Sequence, residues 1–316
     1  MTLPLRLTIT LREFSMRLTL CLFLAILPLL LPPAIAATTA YSMPRTQVVP
    51  LKDKETGGQY ELYIKLPEDY KVNEKTHETA SSDSAPLKHY PVIYTTDAVW
   101  HMDLLSGVTE FLMPDVILVG ISWQQNMPED IDYGHRRAFA SRFKDYSFVA
   151  HEKPEVQAKY NFGQGDKHLR FIQEDVIGYV EKHYRTSPNN RAYLSYSMGA
   201  EFGAYILLHA PDTFNQYILG SPSFDATSFE FLGTLQSPLF TQSQQDNTPQ
   251  VFVSIGELET KRMKLTQQFV DLLRNKGGQG LSISGLNIVA NSDHASAVPD
   301  TFSESIRWLE SKTSGQ

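Results

Sequence analysis

The sequence contains a single cysteine, Cys21, which lies within an apolar segment near the N-terminus. Without that segment the chain has no disulfide, no thiol nucleophile and no cysteine metal site, so a packed core must supply its stability. Metal-ligand clusters, nucleotide motifs and a glycine-rich phosphate loop are also lacking, and we expect no cofactor and no bound metal. The net charge of -7 disfavours nucleic acid as a partner.

A hydrophobic run long enough to span a membrane is missing as well. Two arginines precede an apolar run at 18–31, which is too short to cross a bilayer comfortably, and Ala-Ile-Ala follows it as a peptidase site. We therefore predict a signal peptide at 1–36 with cleavage after Ala36, a periplasmic or secreted protein, and no stable membrane anchor after cleavage. An uncleaved anchor is the alternative, and Met16 is a second candidate start.

Strands alternate with helices along the rest of the chain. The stretch 59–66 alternates like the second strand of an antiparallel hairpin, and the apolar run at 116–121 is typical of a central parallel strand. Apolar residues recur at helical spacing over 169–184 and 264–276. This alternation predicts a single α/β domain over 37–316, with a mostly parallel central sheet, helices on both faces and active-site loops at the carboxyl ends of the strands.

The pentapeptide Ser195-Tyr196-Ser197-Met198-Gly199 follows a short apolar strand and opens a helix rich in small residues. A sharp strand-to-helix turn strains its central residue, lifts that side chain clear of the sheet and tolerates only small residues two positions to either side. Gly199 meets this requirement, and Ser195 nearly does. We therefore predict that Ser197 is a catalytic nucleophile, the alternative being a solvated serine in an ordinary turn.

The residues that would activate such a serine follow in the order of an α/β-hydrolase, first an acid and then a histidine. A predicted buried strand at 251–255 ends just before Glu257 and Glu259, and a later polar loop carries Asp293 and His294. His294 would take the proton of the nucleophile, and a carboxylate would orient the imidazole. We favour Glu259, which has room to turn back towards the histidine loop, over Glu257 and Asp293.

The oxyanion that forms during acyl transfer needs two backbone N–H donors. One should belong to Met198, directly after the nucleophile. The other should come from the loop after an earlier predicted strand, at Ala98 or Val99. The same loop carries Asp97 and Trp100, which we predict to border the substrate pocket.

These features together resemble the “putative esterase” branch of the α/β-hydrolases, which includes esterase D-like enzymes, enterobactin-type siderophore esterases, S-formylglutathione hydrolase and mycolyl transferases. The resemblance spans roughly residues 44 to 310 and rests on Tyr90 to Tyr94 followed by Asp97, Phe171 to Val176, Gly220 to Ser223, Gly256-Glu257 and Asp293-His294. It implies the α/β-hydrolase fold and ester chemistry on a siderophore lactone or a small acyl ester. Ser195 in place of the first elbow glycine and Ala98 in place of a common glycine are departures, and the second leaves the outer oxyanion donor open.

Residues 122–168 are the least regular part of the chain and combine many aromatic with many basic side chains. Because this segment follows a predicted strand of the sheet, we expect it to face the substrate. Arg136, Arg137 and Arg142 would then form, with Trp100, a pocket for an anionic or aromatic substrate. The alternative is that the aromatic side chains pack this excursion onto the domain and that its charges are solvated.

The sequence therefore predicts a secreted or periplasmic serine carboxylic-ester hydrolase that acts through an acyl-enzyme, needs no cofactor and has a small-molecule ester as its partner. Acyl transfer to an alcohol or sugar by the same triad is a second interpretation. A binding module that has lost catalysis on a hydrolase scaffold is a third, and the presence of Ser197, Glu259 and His294 counts against it. The sequence does not indicate an oligomeric state.

Overall fold

The computed structural model describes residues 40–70, 87–235, 248–277 and 281–313. The predicted signal peptide lies outside the described residues. Met43 to Gln316 form one compact unit, and Met1 to Ser42 form a separate unit of which only 40–42 are described. In these described ranges, no helix is long and apolar enough to cross a membrane.

The compact unit is built on one sheet. Its eight strands within the described ranges are β1 Thr46–Lys52, β2 Gln59–Lys65, β3 Tyr90–Thr95, β4 Ile117–Ile121, β5 Thr186–Tyr196, β6 Gln216–Gly220, β7 Gln250–Gly256 and β8 Ser282–Val289. They lie in the order β1-β2-β4-β3-β5-β6-β7-β8. Neighbours from β4 to β8 are parallel, and β2 is antiparallel to both β1 and β4. The predicted mostly parallel sheet, with the antiparallel hairpin at one edge, is confirmed.

Helices cover both faces of this sheet. They are α1 Ala98–Leu112, α2 Ser141–Asp145, α3 Pro154–Tyr160, α4 Gly165–Arg170, α5 Gly178–His183, α6 Met198–His209, α7 Ala226–Thr234, α8 Thr260–Gly277 and α9 Ala297–Thr313, with a π-helical stretch at Phe171–Ile177 between α4 and α5. The predicted helix over 169–184 thus corresponds to α4, the π-helical stretch and α5 in succession.

Side chains that alternate along the strands form two separate cores, one on each face, because successive strand residues point in opposite directions. Ile93 packs with Met102 of α1 and Phe302 of α9 on one face. Tyr94 packs with Phe202 of α6 and other helices on the opposite face. Burial on both sides explains why the central strands are continuously apolar, and it confirms the prediction of an α/β fold with helices on both faces.

The parallel strands bring several chain segments together at the edge of the sheet formed by their carboxyl ends. β3, β5, β6 and β7 all end there, and each is followed by a residue of the candidate site: Asp97, Ser197, Ser221 and Glu259. His294 lies in the loop between β8 and α9. This edge corresponds to the place where α/β sheets carry their binding and catalytic loops.

Candidate active site

Ser197 lies in a strained turn between β5 and α6. Its backbone has φ 58° and ψ -123°, a conformation that is rare for a residue with a side chain. A Cβ atom at Gly199 would overlap the Ser195 hydroxyl, which itself lies 2.5 Å from the Thr96 hydroxyl. The turn therefore accepts Ser195 in the first glycine's place, because that hydroxyl is buried against Thr96 and Gly199 leaves it room.

A chain of hydrogen bonds joins Ser197, His294 and Glu259. The Ser197 Oγ and the His294 Nε2 are 2.9 Å apart, and the His294 Nδ1 is 2.6 Å from the Glu259 Oε2. With Nδ1–H donating to the carboxylate, Nε2 is free to accept the serine proton. This is the arrangement in which an imidazole can act as general base towards a hydroxyl.

The Glu259 carboxylate is held by several donors besides His294. Its Oε1 accepts hydrogen bonds from the Ser221 hydroxyl at 2.7 Å and from the Gly256 N–H at 3.1 Å. Burial by itself raises the pKa of the Glu259 carboxyl, but the hydrogen bonds from His294, Ser221 and Gly256 outweigh burial and hold that pKa below its usual value. Glu259 is therefore ionised at neutral pH and can stabilise a protonated His294.

The other two candidate carboxylates accept hydrogen bonds from the backbone of the loop that carries His294. The Glu257 Oε2 accepts a hydrogen bond from the Asn291 N–H at 2.7 Å. The Asp293 Oδ1 accepts hydrogen bonds from the N–H and the hydroxyl of Ser296 and from the Ala295 N–H, and these bonds lower the pKa of the Asp293 carboxyl. Both carboxylates thus brace the loop backbone, whereas Glu259 meets the imidazole.

Three side chains that the sequence analysis assigned no role also belong to this site. The Ser223 Oγ lies 2.9 Å from the Ser197 Oγ. Ser221, which has φ 40°, donates to Glu259, and the Tyr196 hydroxyl lies 2.8 Å from the Ser221 Oγ and 2.9 Å from the His294 carbonyl oxygen. Ser221 and Ser223 directly follow β6. Their position after the end of a parallel strand was the sequence signal that could have indicated a role in the site.

The two predicted oxyanion donors each open a helix. Ala98 is the first residue of α1, and Met198 is the first residue of α6. N–H groups in a first helical turn have no acceptor within their helix, and they lie at its positive end. Both N–H groups thus lie at the start of a helix, and their role as oxyanion donors stays a prediction.

A first cavity of about 530 Å³ opens onto Ser197 and His294. The residues that line it are Asp97, Trp100, His101, Arg142, Tyr196, Ser197, His294, Ala295, Val298 and Pro299. Trp100 is half exposed at its edge. His101 is buried, and burial lowers the pKa of its imidazole.

Asp97 and Arg142 form a buried ion pair in the wall of this cavity. The Arg142 Nε is 2.7 Å from the Asp97 Oδ1, and its Nη2 is 2.9 Å from the Asp97 Oδ2. The Trp123 Nε1–H also donates to the Asp97 Oδ1 at 2.7 Å. Such a bidentate pair fixes the start of the Ala98 helix, and Asp97 already neutralises the charge of Arg142.

The other two arginines of the predicted pocket lie elsewhere. Arg137 is exposed, and its guanidinium donates to the carbonyl oxygens of Met127 and Pro128. Arg136 is also exposed and stacks on the ring of Phe143, 5.9 Å from its centre. The structure therefore brings Asp97, Trp100 and Arg142 to the cavity with the triad, and it leaves Arg136 and Arg137 outside.

We expect Arg142→Ala to destabilise the protein, because it leaves the Asp97 carboxylate buried without a counter-charge. The cost should be roughly 3–5 kcal/mol, which corresponds to a fall in Tm on the order of 10 °C. Hydrolysis of neutral and anionic esters should fall together. Calorimetry and kinetics on both esters test this, with Arg137→Ala as the solvated control. A selective loss on the anionic ester would instead show that Arg142 binds the substrate's charge.

Among the residues that the structure describes, no group of three histidine, cysteine, aspartate or glutamate side chains could hold a metal ion.

The fold and this site define an α/β-hydrolase. The sequence profile of the family described as “Putative esterase” matches residues 54–270. The chain belongs to that family and is a carboxylic ester hydrolase.

Individual relatives agree with this assignment. The ferri-bacillibactin esterase BesA of Bacillus subtilis is 24% identical over 237 residues, which cover 70% of this chain and 73% of the relative. The BES protein from Bacillus cereus matches with a TM-score of 0.69 at 18% identity, over 86% of this chain and 97% of its own. The siderophore hydrolase EstB from Aspergillus nidulans matches with a TM-score of 0.65 at 17% identity, over 87% and 98%. At these identities the two structures show the shared fold.

Proposed function

We propose that this protein hydrolyses carboxylic esters through an acyl-enzyme on Ser197. The observation that carries the proposal is the continuous hydrogen-bonded chain from Ser197 through His294 to the ionised Glu259. His294 takes the hydroxyl proton through Nε2 as Ser197 attacks the ester carbonyl carbon, and Glu259 stabilises the imidazolium. The backbone N–H groups of Met198 and Ala98 bind the oxyanion.

Collapse of the tetrahedral intermediate breaks the bond to the alcohol. His294 returns its proton to the leaving alkoxide oxygen, and the acyl group remains on Ser197 as an ester. In the second half of the reaction, His294 takes a proton from water, the resulting hydroxide attacks the acyl carbon, and Ser197 leaves with the proton. The products are the alcohol and the carboxylic acid, and the enzyme returns to its starting state.

The substrate class that we propose is a siderophore lactone or a small acyl ester. The names of BesA and EstB, an esterase of a ferric siderophore and a siderophore hydrolase, support the first choice. The experiment is a panel of p-nitrophenyl esters and cyclic siderophore trilactones incubated with protein that begins at Ala37. Turnover of lactones above that of simple esters supports a siderophore substrate, and turnover of simple esters alone supports the second choice. Turnover of neither contradicts both substrate classes.

Water rather than an alcohol is the acceptor that we propose. The triad serves both, but the His294 side chain is 32% exposed and Trp100 is 51% exposed at the first cavity, so water reaches the acyl carbon. Adding glycerol or a sugar to the panel tests this point. Hydrolysis product should dominate, and a dominant acyl-glycerol or acyl-sugar product by mass spectrometry would make the protein an acyltransferase.

We also propose that the protein acts outside the cytoplasm after removal of residues 1–36. The basic and apolar pattern of these residues and the Ala-Ile-Ala site support this location. N-terminal sequencing of the protein expressed in a bacterial host should begin at Ala37. A preserved N-terminus in the cytoplasmic fraction would contradict the proposal.

A further inference from the structure

A second cavity lies beside the nucleophile, and His294 is not among the residues that line it. It has a volume of about 460 Å³ and reaches Met198 and Ser223, both of which adjoin Ser197. The residues that line it are Phe143, Tyr146, Ser147, Phe148, Val149, Ala150, His151, Glu152, Phe162, Met198, Glu201, Ser223, Asp225, Thr227 and Ser228. Nine residues of the excursion 122–168, all between Phe143 and Phe162, therefore line this cavity.

The position of His294 assigns the two cavities to different parts of an ester. His294 must reach the leaving oxygen to protonate it, so the alcohol part lies where His294 does, in the first cavity. The acyl part extends from the carbonyl carbon in another direction, past the Met198 backbone. The second cavity begins at Met198, so it is the place for the acyl chain.

The walls of the second cavity combine carboxylates with aromatic rings. Its acidic side chains are Glu152, Glu201 and Asp225. Among the described residues that line it there is no lysine or arginine. His151 is the one basic side chain among these residues. Aromatic rings come from Phe143, Tyr146, Phe148 and Phe162. Carboxylates and ring faces both attract cations and repel anions.

Glu201 is the acidic group nearest to the nucleophile along the chain. It lies in the first turn of α6, and its N–H donates to the Ser197 carbonyl oxygen at 3.0 Å. Glu201 also lines the second cavity together with Met198, the residue that directly follows Ser197. Burial raises the pKa of the Glu201 carboxyl to about 8, against a hydrogen bond from Ser228. A bound cation would supply the counter-charge that favours its ionised form.

We propose that the second cavity binds the acyl part of the substrate and selects acyl groups that carry an ammonium or other cationic group, with Glu201 as the residue that determines this specificity. The inference rests on the proposed ester hydrolysis at Ser197. It also separates the possible substrates, because an acyl chain that bears an amine fits these walls and an acyl chain that bears an anionic catecholate does not.

The test compares two p-nitrophenyl esters of equal shape. One has a γ-trimethylammoniobutyryl group, and the other has a tert-butyl group in place of the trimethylammonium. For the wild-type protein we expect kcat/KM, corrected for spontaneous hydrolysis, to be at least about tenfold higher for the cationic ester. Glu201→Gln should lower this ratio several-fold, while the aromatic rings and the other carboxylates keep it above one. Glu230→Gln makes the same substitution at an exposed site on α7, outside the cavity, and should leave the ratio as in wild type.

Each outcome separates the inference from the proposal on which it rests. If wild type hydrolyses both esters with a ratio of one or less, ester hydrolysis stands and the cation site is wrong. A high ratio that survives in Glu201→Gln assigns the selectivity to another residue and overturns the role of Glu201. If neither ester is hydrolysed, the cation site is wrong, and the lactones and other esters of the panel decide the proposed function separately. The wild-type ratio remains decisive even if Glu201→Gln does not fold.

Discussion

Replacement of Ser197 by alanine should abolish ester hydrolysis while leaving the protein folded. Without the hydroxyl no acyl-enzyme can form, and loss of a triad nucleophile lowers kcat by several orders of magnitude, on the order of 10⁴ or more. The strained turn at φ 58° accepts alanine as well as serine, because alanine has the same Cβ atom and lacks only the hydroxyl. The Tm should therefore hold or rise slightly, as often happens when a catalytic group is removed from a strained site.

Ser223, which is hydrogen-bonded to Ser197, offers a matched control for this variant. Ser223→Ala removes a hydroxyl 2.9 Å from that of Ser197 without removing the nucleophile. We expect it to lower kcat far less, by about tenfold, since it takes one hydrogen bond from the attacking oxygen. Kinetics on a p-nitrophenyl ester and mass spectrometry of the trapped acyl-enzyme check both variants. More than about a tenth of wild-type turnover in Ser197→Ala would be incompatible with a covalent role.

The fold was predictable because its signals are local. Continuous apolar strands such as 116–121 and helical spacing over 169–184 follow from burial on both faces of a sheet, and each can be recognised in a short window of sequence. The strand-to-helix turn at Ser197 is local too. It needs small neighbours at defined positions, so the nucleophile candidate could be named before any three-dimensional arrangement was known.

The sign of charge in the substrate cavities was not predictable in this way. The excursion 122–168 is rich in arginine, which suggested a pocket for anions. In the structure Arg142 is neutralised by Asp97, which precedes it by 45 residues, and Arg137 binds backbone carbonyl oxygens. Glu201 and Asp225, which line the second cavity, come from other elements. Composition counts charges, whereas only the packing of distant segments decides which of them meet a ligand.

The acid and the histidine of the triad could be predicted in part. The acid and histidine were expected after late strands, but three carboxylates competed for one role. The structure gives each a different partner: Glu257 meets the Asn291 N–H, Asp293 meets the N–H groups of its own loop, and Glu259 meets His294. Ser221, which holds Glu259 in place, gives no local signal of that contact, because 38 residues separate the two.

If Glu259 is the acid of the triad, Glu259→Gln should strongly lower kcat. Glutamine keeps the shape of the side chain, but it carries no charge to stabilise the imidazolium of His294, and its amide can turn an N–H towards Nδ1 and favour the wrong tautomer. We expect kcat to fall by about three to four orders of magnitude. KM should change little, since Glu259 lies behind His294 and does not line either cavity.

Glu257→Gln is the matched control for that variant, because it removes the same charge two residues away. A glutamine oxygen can still accept the hydrogen bond from the Asn291 N–H, so the histidine loop should keep its position and kcat should stay within about threefold of wild type. Steady-state kinetics on one ester, with circular dichroism to establish that both variants fold, decides between the carboxylates. A severe loss in Glu257→Gln beside a mild one in Glu259→Gln would show that Glu259 is not the acid of the triad, and that the 2.6 Å contact with His294 has a structural role instead.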